Sequence, residues 1–331
     1  MRKLLALGVT LTLTVAAGCG VEVRQPTGAA EPGDALRLAV VPKAIGFDFW
    51  EQVRIGAECA ASKHREVTMH WDGVTSEDDV SGQQSLLQDF LAQGVDGLVY
   101  AATDAQALSN VSNTAVDQGT TVVNIDSGTT PQPKEVPVYA TDNVQAAERG
   151  TDLLAEQLGG RGTVAFVEFQ PGTSTNDTRG EGFERGLAKH QGLRLVARQS
   201  SDSDYNKALQ VTQDILTANP NLDGIYAGNE PSMLGAAEAV RQAGKAGDIK
   251  IVGWDTAEGQ VDALREGVVT GLIAQNPFAM GYKGVQAAVE TIRHGTSDRS
   301  TDTGATIITK DNVDDPEVRT LLNPSCANPP R

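Results

Sequence analysis

Two acids close matching apolar runs: Asp126 ends Val122-Val123-Asn124-Ile125-Asp126, and Asp255 ends Ile251-Val252-Gly253-Trp254-Asp255. Each is preceded, some thirty residues upstream, by a related run, Val95-Asp96-Gly97-Leu98-Val99-Tyr100-Ala101 for the first and Leu222-Asp223-Gly224-Ile225-Tyr226-Ala227 for the second. A carboxylate delivered into a crevice by the end of a buried strand has three chemical uses. It accepts hydrogen bonds from ligand hydroxyls. Paired with a second carboxylate, it can serve glycoside hydrolysis. Or it caps the helix that follows. The duplicated placement points to two lobes facing one ligand.

Other chemistries find less support. Cysteines stand at 19, 59 and 326, without short paired spacing, and the four histidines are scattered, so no metal site is expected. Gly180-Glu181-Gly182 and Gly159-Gly160-Arg161-Gly162 lack the three-glycine spacing between a strand and a helix, and they read as turns. There is no P-loop and no nucleophile elbow. The expectation is a binding protein without a cofactor, not an enzyme. A net charge of −16 argues against a nucleic-acid partner, which needs a concentrated basic face.

The elements that position the acids follow from the order of apolar runs. At 331 residues the chain exceeds one ordinary core, so two domains are expected. From Leu36 onward, strand-like runs alternate with helical patterns. The first series is strand 36–41, helix 49–63, strand 67–71, helix 80–93, strand 97–101, helix 105–118 and strand 121–125. The second is helix 143–158, strand 163–168, helix 176–190, strand 193–199, helix 205–218, strand 224–227, helix 232–243, strand 249–254, strand 269–274 and helix 277–294. In the helix from Val80, the residues Val80, Leu86, Leu87, Phe90 and Leu91 share a face. Continuously apolar strands alternating with helices mean parallel sheets covered on both faces. The fold class is α/β, with two Rossmann-like lobes.

The amino terminus is of another kind. Arg2-Lys3, the apolar run from Leu4 to Ala17 and Gly18-Cys19 describe a secretory signal over residues 1–19. The ending Ala16-Ala17-Gly18-Cys19 resembles a bacterial lipoprotein box, although the commonest box has Leu where this chain has Ala16. That resemblance implies lipidation of Cys19 and an extracytoplasmic protein held on the membrane by its lipid anchor. Residues 20–35, with Pro26, Gly28, Pro32 and Gly33, read as a flexible linker. Once Cys19 is lipidated, Cys59 and Cys326 remain. Outside the cytoplasm they are expected to form a disulfide that pins the Pro-rich tail near the first helix.

Between Leu36 and Asp315 the chain resembles the periplasmic sugar-binding proteins of the ribose/galactose type, the solute receptors of ABC importers. The residues that carry this are Val41-Pro42-Lys43 with Phe49-Trp50, Gly172-Thr173-Ser174 with Arg179-Gly180-Glu181-Gly182-Phe183, Asn229-Glu230, Val252-Gly253-Trp254-Asp255 and Ile273-Ala274-Gln275-Asn276-Pro277. The resemblance implies the type I periplasmic binding protein fold, with a three-strand hinge near Thr141-Asp142-Asn143, Gln275-Asn276-Pro277 and Asp302-Thr303-Gly304. Lobe one would hold 36–141 plus 276–304, and lobe two 142–275 plus 305–331. It also implies a monomer that captures a small sugar or polyol by hinge closure and docks on the transmembrane subunits of an ABC permease. By similarity, Asp126, Arg179, Asn229, Asp255 and Gln275 match positions that bond sugar hydroxyls, and Phe49 and Trp50 match aromatics that stack on sugar faces. Lys43 is either a ligand contact or a rim charge.

Each assignment has an ordinary alternative. Asp126 and Asp255 have helix capping, Arg179 has pairing with Glu181 or Glu184, Asn229 has a turn, and Gln275 has the end of a strand. Of Phe49 and Trp50, one belongs partly to the core, because neighbours on a helix do not face the same way. Departures from the ribose binders bear on the ligand. Phe47 replaces a polar residue, Ser127 stands where they carry Arg, and Ser203 stands where many have an aromatic. Relative to them the pocket is thus expected to lose one cation and to rearrange its aromatic lining, and ribose itself is disfavoured. Val41-Pro42-Lys43, Asp72-Gly73-Val74-Thr75 and Ser81-Gly82-Gln83 also resemble the branch that binds rhamnose or a furanosyl autoinducer, but Arg179 and Asn229 do not match that branch. A small monosaccharide or sugar alcohol is the expectation. A sensor presenting its ligand to a signalling partner shares the same residues. A repressor with this core would need a DNA-binding module where the signal segment stands.

Overall fold

A computed structural model of the chain describes residues 35–295 and 300–327. The signal segment with Cys19, and the linker as far as residue 34, lie outside the described residues.

In strand β1, Leu36–Val41, every residue but Arg37 is buried, which requires cover on both faces. Alternate side chains meet different cover. Leu38 and Val40 join one cluster with Val53 and Ala57, while Ala39 and Val41 join another with Leu87 and Phe90. The first lobe continues through α1 (Asp48–Ala61), β2 (Val67–Trp71), α2 (Val80–Ala92), β3 (Gly97–Tyr100), α3 (Ser109–Asp117), β4 (Thr121–Ile125) and β5 (Val138–Ala140). With β11 (Thr301–Asp302) these strands form a sheet in the order β11-β5-β4-β3-β1-β2, and every pairing is parallel.

The second lobe contains α4 (Asn143–Gln157), β6 (Arg161–Glu168), α5 (Ser174–Lys189), β7 (Gly192–Ser200), α6 (Tyr205–Ala218), β8 (Gly224–Ala227), α7 (Glu230–Gln242), β9 (Lys250–Trp254), α8 (Glu258–Glu266) and β10 (Gly271–Ala274). Its sheet runs β12-β10-β9-β8-β6-β7, where β12 (Thr306–Ile308) joins antiparallel to β10. Helix α9 (Pro277–His294) returns to the first lobe and crosses α1 closely. A Cβ on Gly56 would stand 2.1 Å from the Phe278 carbonyl oxygen, and one on Gly281 would stand 2.0 Å from that of Val53. Only glycine permits that approach.

The chain passes between the sheets three times, after β5, after β10 and between β11 and β12. The passages are bonded to one another. Thr141 Oγ1 donates to Gln275 Oε1 at 3.0 Å, and Asp302 Oδ1 accepts from the N–H groups of Asp142 and Gly304 at 3.0 and 2.8 Å.

Several local outcomes differ from the sequence reading. Helix α3 starts at Ser109 and not at Ala105, because Asp104 Oδ1 turns back to accept from the N–H groups of Gln106 and Ala107. On α2 the polar Gln83 is fully buried beside Leu87 and Phe90; it donates to the carbonyls of Pro42 and Ala101 and accepts from Thr103, tying the ends of β1 and β3. Strands β5, β11 and β12 and helices α8 and α10 are absent from the sequence expectation. The tail divides: α10 (Pro316–Leu322) places Val318 in the second lobe's core, but Cys326 is joined as a disulfide to Cys59 of α1, with their Cα atoms 5.6 Å apart. The last described residues therefore return to the first lobe.

Candidate ligand-binding site

The carboxyl ends of both sheets face a common cleft, where ligands of open α/β sheets bind. Asp126 follows β4 and Asp255 follows β9, and both adopt a left-handed backbone, with φ of 58° and 80°. Neither is the N-cap of a helix, so the capping alternative does not describe them.

Asp126 is tied to Lys43, which follows β1. Lys43 Nζ lies 2.8 Å from Asp126 Oδ2, and both side chains are only 3% exposed. The same Nζ donates to Thr175 Oγ1 of α5 in the opposite lobe at 2.9 Å. Lys43 thus brings a positive charge to Asp126 from another strand of the same sheet. Ser127 donates to the Ala102 carbonyl.

Asp255 is held from two sides. Gln275 Nε2 donates to Oδ1 at 2.6 Å, and the N–H of Glu230 donates to Oδ2 at 2.9 Å. Burial pushes its carboxyl above the ordinary carboxylate range, and the charge of Asp126 acts the same way; Arg179 and Gln275 pull against them. Gln275 therefore joins the hinge to the strand-end acid, because its Oε1 is the acceptor for Thr141.

Arg179, on α5, donates from Nε to Asn143 Oδ1 at 2.9 Å and from Nη1 to the Gly228 carbonyl at 2.7 Å. Its guanidinium lies 3.8 Å from the Trp254 ring centroid and 5.2 Å from that of Phe169. Pairing with Glu181 or Glu184 does not occur: Glu181 pairs with Arg185, and Glu184 with Arg198. Asn229 does shape the chain, since it is the N-cap of α7 and accepts from the Ser232 N–H; its Nδ2 donates to Ser203 at 3.0 Å.

Phe49 and Trp50 meet edge to face, with centroids 4.8 Å apart. Trp50 is buried in the first lobe's core and donates from Nε1 to Glu77, while Phe49 is half-buried. Trp50 is thus the member of the pair that belongs partly to the core.

All eight residues, Lys43, Phe49, Trp50, Asp126, Arg179, Asn229, Asp255 and Gln275, border one narrow space between the lobes, with a cavity volume of about 20 Å³. Phe47, Glu77, Phe169, Glu230 and Pro231 complete its wall. Of these, Glu77, Phe169 and Pro231 had no signal in the sequence, and Glu230 had only its place beside Asn229. Glu77 Oε2 accepts from Ser203 of the other lobe at 2.5 Å. Glu230 is pushed up to about 7, chiefly by burial, with Asp255 and Asp48 adding to it against the backbone bonds from Phe49 and Asp48. Two strand-end acceptors, two cations and aromatic faces suit a ligand with a rim of hydroxyls and apolar C–H faces. Among the described residues no group of three or more His, Cys, Asp or Glu side chains is placed to hold a metal ion.

The periplasmic binding protein domain model matches residues 38–296. The ribose import binding protein of Bacillus subtilis (strain 168) is 30% identical over 297 residues, covering 89% of this chain and 94% of that protein. Among solved structures, an ABC transporter solute binding protein from Agrobacterium vitis bound with alpha-D-tagatopyranose is 31% identical, with a TM-score of 0.82, over 87% of this chain and 99% of that one. A second from Agrobacterium vitis, with bound D-fucose, is 29% identical, with a TM-score of 0.84, over 86% and 99%.

Proposed function

The chain belongs to the periplasmic binding protein domain family, and from that footing we propose that it is the solute-binding protein of a carbohydrate ABC importer, acting outside the cytoplasm. The observation that carries this reading is the enclosed cluster between the sheets. One strand-end carboxylate from each lobe, with Lys43 and Arg179, surrounds a space faced by Phe49, Trp50 and Phe169. The ligand is a small monosaccharide or sugar alcohol. Asp126 and Asp255 accept its hydroxyl bonds, and Lys43 and Arg179 donate to it. Asn229 and Gln275 complete the contacts, and the rings of Phe49 and Trp50 cover its C–H faces.

Capture works by closure. The lobes, 36–141 with 276–304 and 142–275 with 305–331, turn about the three bonded passages, and a sugar touching both lobes favours the closed form. The closed monomer docks on the transmembrane subunits of a permease. Cys19 carries the lipid that keeps it on the membrane, and residues 20–35 give it reach.

The protein is not a glycosidase in this reading. Asp126 is committed to Lys43, and Asp255 to Gln275 and the Glu230 N–H, so both act as fixed acceptors.

A thermal-shift screen across pentoses, hexoses, pentitols and tetritols tests the proposal. A binder at a hundred times its Kd stabilises by about 2.7 kcal/mol. At least one saturable shift, matched by calorimetry, is expected, and silence across the panel in both measurements overturns the ligand class.

A further inference from the structure

Helix α1 begins without a cap of its own. Phe47 stands at its N-cap, and no side chain at that position bonds the first turn. The first-turn N–H groups are nevertheless satisfied, from the opposite lobe. Glu230, the first residue of α7, accepts from the Asp48 N–H through Oε1 at 3.2 Å and from the Phe49 N–H through Oε2 at 3.0 Å. The favour is returned by the residue next to that cap. Asp48, the first residue of α1, accepts from the N–H of Glu258, the first residue of α8 in the second lobe, through Oδ2 at 3.2 Å. The N-cap of α8 is Ala257, which has no side-chain acceptor. Two helix starts, one in each lobe, therefore receive an acid from the other lobe.

Such a pair has consequences for a protein that opens and closes. A side-chain oxygen at a helix start satisfies N–H groups that have no partner inside the helix. These four partners meet only while the lobes are together. Separation sends both carboxylates and three N–H groups to water. A contact present in one state and absent in the other is what biases a two-state equilibrium. Each Glu230 oxygen is engaged by a backbone N–H of the first lobe, so the residue acts on a ligand through the closure it holds.

We propose that Glu230 and Asp48 form a reciprocal capping latch that holds the lobes closed and sets how long a captured ligand stays. The latch rests on the reading of the cleft as a hinged capture site. It makes Glu230 a positioning residue, distinct from the carboxylates Asp126 and Asp255.

Interlobe distances measured between spin labels at Asp89→Cys and Asp248→Cys, exposed positions on separate lobes, test this. They are recorded in the ligand-free protein and with D-ribose, D-fucose, D-tagatose and xylitol at millimolar concentration. A lost cap shifts an equilibrium by about fivefold. Glu230→Ala and Asp48→Ala are each expected to lower the closed-to-open ratio by about that factor, and the double variant by more. Dissociation of a bound sugar should accelerate by the same factor, with association changed less than about twofold. Glu230→Gln keeps one carbonyl acceptor and should fall between wild type and Glu230→Ala. Glu51→Ala is the control, because Glu51 bonds Arg54 within the same helix. Thermal unfolding and circular dichroism confirm that the variants fold, and Asp48→Ala and Glu230→Gln carry the comparison if Glu230→Ala does not.

A double variant that closes as the wild type does overturns the latch and leaves the capture site standing. So does an unchanged ratio accompanied by slower association, which assigns Glu230 to the ligand itself. A wild type that is already closed without sugar and unchanged by all four sugars, yet opens in the variants, supports the latch and counts against the ligand class. A wild type that never closes, with or without sugar, overturns both.

Discussion

Asp126 and Asp255 end corresponding strands of the two sheets in the same left-handed backbone, with φ of 58° and 80°. That conformation is uncommon outside glycine, costs of order 1–3 kcal/mol and clusters at binding sites; Asp tolerates it better than most residues. The repetition in both lobes marks the strand ends as places where a carboxylate is aimed into the cleft. Asp255→Gly keeps the backbone conformation and removes the carboxyl. Its ligand affinity should fall by about 2–5 kcal/mol, the usual effect of deleting a buried hydrogen-bonded charge, while the protein stays folded. Asp255→Ala should bind as weakly and unfold at a lower temperature than Asp255→Gly, because it adds a Cβ where φ is positive. Calorimetry showing wild-type affinity in Asp255→Gly would remove Asp255 from the site.

The buried Lys43–Asp126 pair makes a second prediction. Deleting one member leaves an uncompensated buried charge, which typically costs about 3–5 kcal/mol. Lys43→Met should therefore lower stability as well as affinity. Adding Asp126→Asn, which removes the stranded charge and suits a left-handed position, should restore most of the stability. Binding should stay lost, because neither the donor nor the charged acceptor remains. Denaturant titration and calorimetry on the single and double variants separate the two effects. Recovery of affinity together with stability would reduce the pair to a structural role.

The parts of this molecule that were legible in its sequence are those specified by local pattern. The runs at β1, β4, β8 and β9 are long enough and apolar enough to declare buried strands, and their ends place Asp126 and Asp255. Strands β5, β11 and β12 have two or three residues each, too few for a period to show. Nine-residue α8 buries only Gln260, Val261, Ala263 and Leu264, so its apolar face is short. The site's remaining wall was hidden for another reason. Glu77 and Phe169 reach it only because loops from different lobes meet across the cleft. Lys43 can pair with Asp126 only because β1 lies two strands from β4 in the sheet. Such relations are set by tertiary placement, which spacing along the chain does not encode.

Affinity should depend on pH through Glu230. Its carboxyl is pushed up to about 7 between the lobes, well above the ordinary range of a glutamate. The carboxyl has its ordinary value when the lobes part, so the closed form takes up a proton between about pH 4.5 and 7. Closure is then favoured as pH falls through that window, and the advantage is lost as pH rises through 7. One group can change affinity by at most about tenfold per pH unit. Ligand should therefore bind more tightly at pH 5 than at pH 8. The charges facing Glu230 are Asp48 and Asp255; the latter is also raised by burial and adds a slope of the same sign. Glu230→Gln should flatten the profile to what Asp255 contributes. Isothermal titrations at both pH values decide it, and tighter binding at pH 8 in the wild type would contradict the burial of an ionised Glu230 on closing.

The bridge between Cys59 and Cys326 spans 267 residues and fastens the end of the second lobe's tail to α1 of the first. Only three residues separate Cys326 from the last residue of α10, whose Val318 is buried in the second lobe. A cross-link over so long a segment restricts the unfolded chain strongly, and removing one from a native protein typically costs about 2–5 kcal/mol. For a chain of this size that is a fall in Tm of roughly 3–7 °C. Cys59→Ser with Cys326→Ser, or reduction of the wild type, should produce that fall in a calorimetric scan. The rise in Tm on adding ligand should survive, because neither cysteine borders the space that holds Asp126 and Asp255. Thiol labelling supplies the direct check: the folded, unreduced protein should offer neither cysteine to the reagent, and reduction should release both. Two reactive thiols before reduction would mean that α10 and the tail are held on the body by packing alone.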